Sequence, residues 1–387
     1  MHAVRTAILA LWAASLIYYV LSAYCLSSFF GKARRRAAAR KGGFSHPVTL
    51  LVPMKGADPD SRGNVLRFLR QDYPEYQVIF GVADPADPAA ALVRECIAQC
   101  PGADAELAVT GASGAANGKV GNLLGMYASA RHDIIIIADA DIRVGPDYMR
   151  AVAAEFGGED IGLVTCPYRA VSPDGIGAAL EALTINTELM PSVAVAQRLE
   201  GLSFALGATM AVRREALEAI GGFSVLADYL ADDYQLGAKV REKGYALRLS
   251  GHVVDSVQGR VSVRGYLAHQ LRWGRTYRAC RPGGYFMTVI TRGTPFALLY
   301  LFAAGFAPAG WAVLAAELLL RYSQAVFIEA RYVKAPGVMK YVWLLPLRDV
   351  LGFMLWAWSF AGSRVSWRGE KFVIGPDGKM KRAGGAV

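Results

Sequence analysis

The chain has 387 residues, of which 54% are hydrophobic and 19% are charged, and its formal net charge is +10. This length accommodates about two or three domains, and the composition is typical of a globular body attached to a membrane. The positive charge favours anionic partners such as phosphates or lipid headgroups. Nucleic acid is not expected, because aromatic residues are not interleaved with the basic runs, and the five scattered cysteines do not form a secreted disulfide framework.

The first predicted element is a membrane anchor. Residues 7–30 carry no charge, and a helix of this length is about enough to cross a hydrocarbon core of ~30 Å. The basic run KARRRAAARK at 32–41 follows directly, which argues against a cleaved signal peptide and places the following chain in the cytoplasm. We therefore predict an uncleaved anchor over 1–31 and a basic linker over 32–47.

Residues 48–292 are predicted to form a cytosolic α/β domain. Short apolar runs such as VTLLVP and QVIFGVAD alternate with amphipathic helical segments, which is typical of a mainly parallel sheet covered on both faces. Ligands of such sheets bind beyond the carboxyl ends of the strands. Asp84 ends one predicted strand, and Asp139 and Asp141 follow the isoleucine-rich strand in HDIIIIADAD. All three acids are therefore expected at one edge of the sheet.

Asp139 and Asp141 are candidate ligands of a divalent cation. Two carboxylates this close at the end of a buried strand repel each other. A bound Mg²⁺ or Mn²⁺ removes the repulsion, because these ions take oxygen ligands and bridge carboxylates to a substrate diphosphate. The alternative is an acidic turn leading into the helix that Pro146 and Asp147 are predicted to start.

A second acidic site lies in the segment DYLADDYQLG. Asp232 and Asp233 open a predicted helix, so one interpretation is that they cap it and interact with its dipole. The other interpretation is that Asp233 is a general base that takes a proton from an acceptor hydroxyl.

The segment HQLRWGRTYRACR at 269–281 is rich in arginine and precedes an apolar region. Arginine binds phosphate in a bidentate manner, which makes Arg272 a candidate contact for a diphosphate. A juxtamembrane helix that contacts lipid headgroups is the other interpretation. The two roles are compatible, because the segment lies next to the membrane.

A C-terminal membrane region is predicted over 293–363. Its first apolar segment begins at Thr294 and is interrupted by GFAPAG, so it predicts either one tilted span over 294–320 or a hairpin around Pro308.

A further span is predicted at 341–362, where Arg348 and Asp349 are adjacent. Charges at that depth face protein, water or the interface. A basic tail follows over 364–387, and it prefers the cytoplasm.

Together these motifs resemble the ceramide glucosyltransferases, a membrane-bound family with the GT-A fold. The resemblance rests on Asp84 at a strand end, the D-x-D spelling of Asp139 and Asp141, the segment ADDYQLG, the pair Arg272-Trp273 before the C-terminal spans, and WRGEKF near the C-terminus. It covers most of the chain. The string HQLRW is also similar to one in bacterial hopanoid-linked N-acetylglucosaminyltransferases.

The resemblance implies a role for particular residues. Substrate contacts are implied for Asp84, Lys119, Asn122, Asp139, His269, Arg272 and Trp273. It makes Asp233 the catalytic base, and it places Asp139 beside the metal and the diphosphate, with Asp141 completing the pair. His269 departs from the family pattern, which has Gln or Arg at this position.

The activity implied is transfer of a sugar from a UDP-sugar, UDP-glucose in the first instance, to a lipid hydroxyl, with inversion at the anomeric carbon. The implied acceptor is ceramide, and the implied location is the cytoplasmic face of a membrane, the bacterial inner membrane, with several spans. A hopanoid-linked N-acetylglucosaminyltransferase is the alternative enzyme. A non-catalytic nucleotide-binding membrane protein is the alternative of another class, and the presence of all the expected acids disfavours it.

Overall fold

The computed structural model describes residues 2–39, 46–157, 160–257, 259–367 and 369–383. Its α-helices are α1 (His2–Ala39), α2 (Ser61–Leu69), α3 (Pro88–Ala98), α4 (Gly118–Tyr127), α5 (Tyr148–Ala153), α6 (Gly175–Thr184), α7 (Met190–Glu200), α8 (Arg214–Ala219), α9 (Asp232–Glu242), α10 (Val263–Cys280), α11 (Pro282–Met287), α12 (Gly293–Ala303), α13 (Pro308–Ile328) and α14 (Leu345–Ser359). Its β-strands are β1 (Val48–Pro53), β2 (Tyr76–Val82), β3 (Ala105–Val109), β4 (Ile134–Ala138), β5 (Ile142–Arg143), β6 (Ile161–Thr165), β7 (Tyr168–Val171), β8 (Thr209–Arg213), β9 (Ala246–Leu249), β10 (Val254–Val257), β11 (Arg364–Trp367), β12 (Glu370–Ile374) and β13 (Met380–Arg382).

The α/β body is built on a seven-stranded sheet of order β3-β2-β1-β4-β8-β6-β9. Strands β3, β2, β1 and β4 run parallel to one another, and β6 runs parallel to β9. Only β8 in this sheet runs antiparallel to both neighbours. The predicted α/β domain with a mainly parallel sheet, between N- and C-terminal helical segments, is confirmed.

The isoleucines of β4 are buried because helices cover both faces of this central strand. Ile135 and Ile137 belong to one core cluster with Leu123 of α4. Ile136 points to the opposite face and belongs to another cluster with Phe68 of α2. Burial of each such side chain contributes about 1.5–3 kcal/mol, so the strand fixes the position of the residues that follow it.

The N-terminal helix continues past the predicted anchor into the basic segment. Residues 32–39 extend α1, and the remainder of the basic run at 40–41 lies outside the described residues. Arg36 donates to the carbonyl of Leu249 (3.3 Å), and a Cβ added at Gly251 would lie 2.7 Å from the Cβ of Ala33. The first part of the predicted linker is therefore a helix end attached to the α/β body.

Two helices in the described part of the chain are long and apolar enough to cross a membrane. One is α1, and the other is α13 together with the π-helical turn that extends it to Val333. A third candidate is the bent pair Pro282–Thr291 and Gly293–Ala303, which meet at 60°. A break follows α12, where Gly305 and Phe306 have φ of 65° and 60°. The structure therefore has two helices over this region rather than one continuous span over 294–320.

The predicted span at 341–362 contains only the 15 helical residues of α14, after a 3-10 helix at Met339–Leu344. This segment is not among the helices of the described residues that are long and apolar enough to cross a membrane.

The candidate membrane helices and the α/β body share one hydrophobic core. A single cluster contains Phe29 of α1, Leu183 of α6, Val193 of α7, Ile328 of α13 and Leu345 of α14. Because α6 and α7 belong to the body and α1 and α13 are membrane candidates, no polar layer separates the two regions at this cluster.

A buried network of charged side chains also joins the two regions. Asp349 is 1% exposed and pairs with Arg321 (3.0 Å) and with its neighbour Arg348. Arg348 also pairs with Glu188, which follows α6, and Glu188 pairs with Arg292 at 3.1 Å. Charges removed from water are retained only when they are paired, and here each is paired across elements. The adjacent charges at 348–349 face protein, as expected.

Glu317 of α13 is a second buried acid in this region, and it is 0% exposed. Its carboxylate accepts hydrogen bonds from Trp12 and Tyr19 of α1, both at 3.0 Å, and from Thr294 of α12 at 3.2 Å. Three helices are therefore held together by donors that converge on one carboxylate.

Candidate active site

The acids that follow β4 lie at the carboxyl edge of the sheet. The amide of Asp139 donates to the carbonyl of Ala208 (3.2 Å), which continues the pairing of β4 with β8 by one residue. The Asp139 side chain is 38% exposed, and Asp141 is exposed. Both carboxylates are therefore accessible at the end of a fully buried strand.

Lys119 of α4 connects the two acidic segments of the sequence. Its Nζ lies 2.7 Å from Oδ1 of Asp139 and 3.6 Å from Oδ2 of Asp232. Burial alone would lower the pKa of Lys119, but the charges of Asp139 and Asp232 outweigh burial and raise this pKa above its usual range. Lys119 is therefore a fixed cation between acids that are far apart in sequence.

Asn117 fixes the geometry around Lys119. Its side-chain oxygen caps α4 by accepting from the amides of Lys119 (2.9 Å) and Val120 (3.2 Å). Its side-chain nitrogen donates to the carbonyl of Tyr229 (2.8 Å) and to Oδ1 of Asp232 (3.3 Å). The helix that carries Lys119 and the segment that carries Asp232 are thus joined through one side chain.

Asp233 is the second residue of α9 and lies beside the same cluster. Its Oδ1 accepts from the amide of Tyr234 (2.7 Å), and a Cβ added at Gly207 would lie 3.0 Å from its Oδ2. Glycine at 207 therefore leaves open the space in front of this carboxylate. Burial first, and then the charge of Asp232, raise the pKa of Asp233 to about 6, which is suitable for a base that works near neutral pH.

The pair Asp139 and Asp141 has the chemistry of a divalent cation site. Asp141 is accessible to water but protein surrounds it, and this burial together with the charge of Asp139 raises its pKa to about 7. The repulsion between the Asp139 and Asp141 carboxylates is removed when the two share a bound cation. Among the described residues there is no group of three or more potential ligand side chains. Two carboxylates suffice for Mg²⁺ or Mn²⁺ when substrate phosphates supply other ligands.

Tyr168, at the start of β7, is a neighbour of this cluster that the sequence analysis misses. Burial raises its pKa well above the usual range, and the charges of Asp233 and Asp139 raise it further, followed by that of Glu181. The phenol is therefore within electrostatic reach of the candidate site acids. No local motif marks it, because β7 enters the site through its pairing with β10 in a separate sheet.

His269 and Trp273 lie one turn apart on α10, with ring centroids 4.7 Å apart. Nδ1 of His269 lies 2.5 Å from Oε1 of Glu181, a carboxylate of α6 that is 2% exposed. Arg272 lies between them in sequence and is half-buried. Glu181 is therefore a second site neighbour missed from the sequence, and it links the HQLRW segment to the side of the cluster where Tyr168 lies.

The other arginines of α10 have a different role. Arg275 donates to the carbonyl of Arg364, and Arg278 donates to that of Gly362 at 2.7 Å. These two guanidiniums therefore attach α10 to the start of the C-terminal sheet.

Asp84 and Asn122 lie apart from the Lys119 cluster. Asp84 is exposed and accepts from the amide of Ala86 (2.8 Å). Because β1 lies between β2 and β4, the ends of these strands are about 10 Å apart, a separation that a nucleotide can bridge. Asn122 is 5% exposed, and its amide donates to the carbonyls of Met54 and Gly81, both at 3.3 Å. Its contacts join the ends of β1 and β2 behind the site.

The α/β body, the acidic cluster around a buried lysine and the flanking candidate membrane helices are those expected of a membrane-associated glycosyltransferase with the GT-A fold. The chain belongs to glycosyl transferase family 21, whose family model matches residues 7–380. The resemblance to ceramide glucosyltransferases is confirmed by this match.

Curated relatives agree with the family. The chain is 27% identical over 236 residues to ceramide glucosyltransferase 3 of Caenorhabditis elegans, a match that covers 61% of this chain and 51% of the relative. It is 23% identical over 350 residues to ceramide glucosyltransferase 1 of the same organism, covering 86% and 73%. The chain thus spans about half of the length of the first relative and about three quarters of the second.

Among solved structures, the chain is similar to a mannosyltransferase from Pyrobaculum calidifontis in complex with GDP-mannose and Mn²⁺, with 21% identity, a TM-score of 0.47, and coverage of 89% of this chain and 99% of that chain. It is also similar to glucosyl-3-phosphoglycerate synthase from Mycobacterium tuberculosis, with 14% identity, a TM-score of 0.40, and coverage of 65% and 82%.

Proposed function

We propose that this chain transfers glucose from UDP-glucose to the primary hydroxyl of a membrane lipid, ceramide, with inversion at the anomeric carbon. The observation that carries the proposal is the cluster in which Lys119 joins Asp139 to Asp232, with Asp233 beside it. The cluster belongs to a body that shares its core with the candidate membrane helices, which keeps the proposed site close to the membrane that would supply the lipid.

Each acid has a separate role in the donor complex. Asp139 and Asp141 would hold a divalent cation, which would supply positive charge to the donor diphosphate when bound. Lys119 pairs with Oδ1 of Asp139. This ion pair orients the carboxylate and leaves its other oxygen accessible. Asp84 contacts the nucleotide from the end of β2. Arg272, with His269 and Trp273 on the same helix, stabilises the charge that develops on the departing UDP.

Asp233 is the base in the transfer step. It accepts the proton of the lipid hydroxyl as that oxygen bonds to the anomeric carbon, and the bond from this carbon to the UDP oxygen breaks on the opposite face. A single displacement of this kind converts an α-linked donor into a β-glycoside. Gly207 leaves room for the acceptor in front of Oδ2 of Asp233.

The basic end of α1 supports a cytoplasmic catalytic site. Lys32, Arg34, Arg35 and Arg36 follow the apolar part of the helix, and such an excess stays on the cytoplasmic side. Because this end of α1 contacts the α/β body, the body lies on the same side.

The test is product analysis with the purified full chain in lipid nanodiscs. UDP-glucose, UDP-glucuronate and UDP-N-acetylglucosamine are each offered with ceramide and with a hopanoid polyol, and the products are identified by mass spectrometry. β-Glucosylceramide is the expected product. Transfer of N-acetylglucosamine to the hopanoid would instead identify UDP-N-acetylglucosamine as the donor and the hopanoid as the acceptor. Binding of UDP without any product would favour a non-catalytic nucleotide-binding protein.

The pH dependence of turnover is expected to report Asp233. Because its pKa is raised to about 6 and the base must be ionised, kcat/KM should fall as the pH drops through about 6 and be level above it. Asp232→Asn should shift this acid limb to lower pH, because the charge of Asp232 helps to raise the pKa of Asp233. An acid limb that stays in place in Asp232→Asn would contradict the assignment.

Removal of divalent cations is expected to abolish transfer. In EDTA, activity should be lost because the donor diphosphate lacks the cation that balances its charge. Addition of Mn²⁺ or Mg²⁺ should restore the activity. Asp141→Asn should raise the Mn²⁺ concentration that gives half-maximal activity, whereas Asp72→Asn, an exposed acid of another loop, should not. Full activity of the wild-type chain in EDTA would exclude the metal site.

A further inference from the structure

The C-terminal sheet lies against the segment that leads into the acidic pair of α9. The amide of Met380 donates to the carbonyl of Asp228 (2.8 Å), and Tyr229 forms an antiparallel bridge with Lys379. β13 therefore pairs on one edge with β12 and on the other with residues 228–229. The segment is therefore held by one antiparallel bridge and one backbone hydrogen bond just before α9 begins.

Side chains seal this contact. Leu230 is 6% exposed, and Phe372 and Met380 are both 2% exposed. The cluster they form is a separate small core whose buried members are Leu230, Val365, Phe372, Ile374 and Met380. Ala116, the residue before the α4 cap Asn117, packs against the same cluster. The sheet thus contacts both segments that supply the candidate acids and their lysine.

The opposite side of the segment is held by Asn117. Its amide donates to the carbonyl of Ala227 (2.8 Å), and its side chain donates to that of Tyr229 (2.8 Å). Residues 227–230 are therefore fixed between α4 and the C-terminal sheet. Asp232 and Asp233 follow within three residues, so a shift of this segment moves both carboxylates.

The sheet is also tied to the helix that carries the other candidate site residues. Arg275 and Arg278 of α10 donate to the backbone at the start of β11. His269, Arg272 and Trp273 lie earlier on that helix. The sheet therefore connects the HQLRW segment to the segment that places Asp233.

We propose that the C-terminal sheet, β11–β13, is a positioning element that holds Asp232 and Asp233 in register with Lys119 and α10. The proposal rests on the proposed role of Asp233 as the base. It gives the basic tail a function in the transfer step, because a carboxylate displaced by about 1 Å from its reacting geometry loses up to about 100-fold in rate. Asp84 and Asp139 follow β2 and β4 and take their positions from the central sheet, so their contribution to donor binding should be preserved.

The experiment compares three substitutions in the full chain. Met380→Pro removes the amide N–H that donates to the carbonyl of Asp228, and Phe372→Ala loosens the small core. Lys381→Ala is the matched control, because this exposed neighbour on the same strand keeps its backbone contacts. We expect the first two to lower kcat by about 10- to 100-fold with the Kd for UDP and the KM for the donor within about two-fold, and the control to match the wild type.

A double-mutant cycle separates positioning from a loss of folding. Leu230→Ala and Phe372→Ala should together lower kcat by less than the product of their separate effects, because they break the same contact. Wild-type kcat in both Met380→Pro and Phe372→Ala would overturn the proposal. Parallel losses of kcat, UDP affinity and heat resistance would also overturn it, because they indicate a general structural role. Failure of the base assignment is read separately, from wild-type kcat in Asp233→Asn.

Discussion

Asp233→Asn is expected to lower kcat by about 100- to 10,000-fold, the range that general base catalysis contributes. Asparagine has almost the same shape, so the space in front of Gly207 and the start of α9 should be kept. What is lost is the ability to accept the proton of the lipid hydroxyl. The KM for the donor and the Kd for UDP should therefore change little, and initial rates with saturating donor and lipid give the comparison.

The control for this substitution is Asp147→Asn. Asp147 is also an acid at the start of a helix, it makes no side-chain cap hydrogen bond, and it is exposed. It should retain wild-type kcat. If Asp233→Asn turned over at a rate near that of the wild type, Asp233 would be only a helix-start residue.

Asp349→Asn is expected to destabilise the chain by about 3–5 kcal/mol, the cost of breaking a buried ion pair by removing one partner. Asp349 is 1% exposed and balances both Arg321 and Arg348. Asparagine leaves these guanidiniums buried with less negative charge. The measurement is the loss of folded protein on heating in detergent, followed by size-exclusion chromatography.

The matched comparison is Asp72→Asn, which removes the partner of Arg150 in an ion pair on the surface. Exposed pairs contribute less than about 1 kcal/mol, so this variant should unfold with the wild type. Equal stability of both variants would show that the buried network is not needed for folding.

The sheet and its functional edge were predictable because the signals are local. A run of isoleucines followed by Asp139 and Asp141 identifies a buried strand and its carboxyl end from adjacent residues. The helix that starts at Asp232 is likewise marked by its own sequence. Periodicity and strand-end chemistry depend on neighbours in the chain, so they are visible without coordinates.

The pairings that complete the site were not predictable in the same way. Lys119 and Asp232 are more than a hundred residues apart in sequence, and so are the segments joined by Asn117. Glu181 is an ordinary helical acid until α10 brings His269 to it. The C-terminal strands are short and rich in charge, and their few apolar residues pack against Leu230, which is distant in sequence. Such contacts depend on tertiary packing rather than on a local pattern.

The core that joins Phe29, Leu183, Val193 and Ile328 has a practical consequence for producing the enzyme. A fragment restricted to residues 48–292 would expose to solvent the apolar faces of α6 and α7 that α1 and α13 cover in the full chain. Contiguous apolar patches of this kind promote aggregation. Excision of the catalytic portion should therefore yield insoluble material, and biochemical work on this chain requires its hydrophobic helices to be retained.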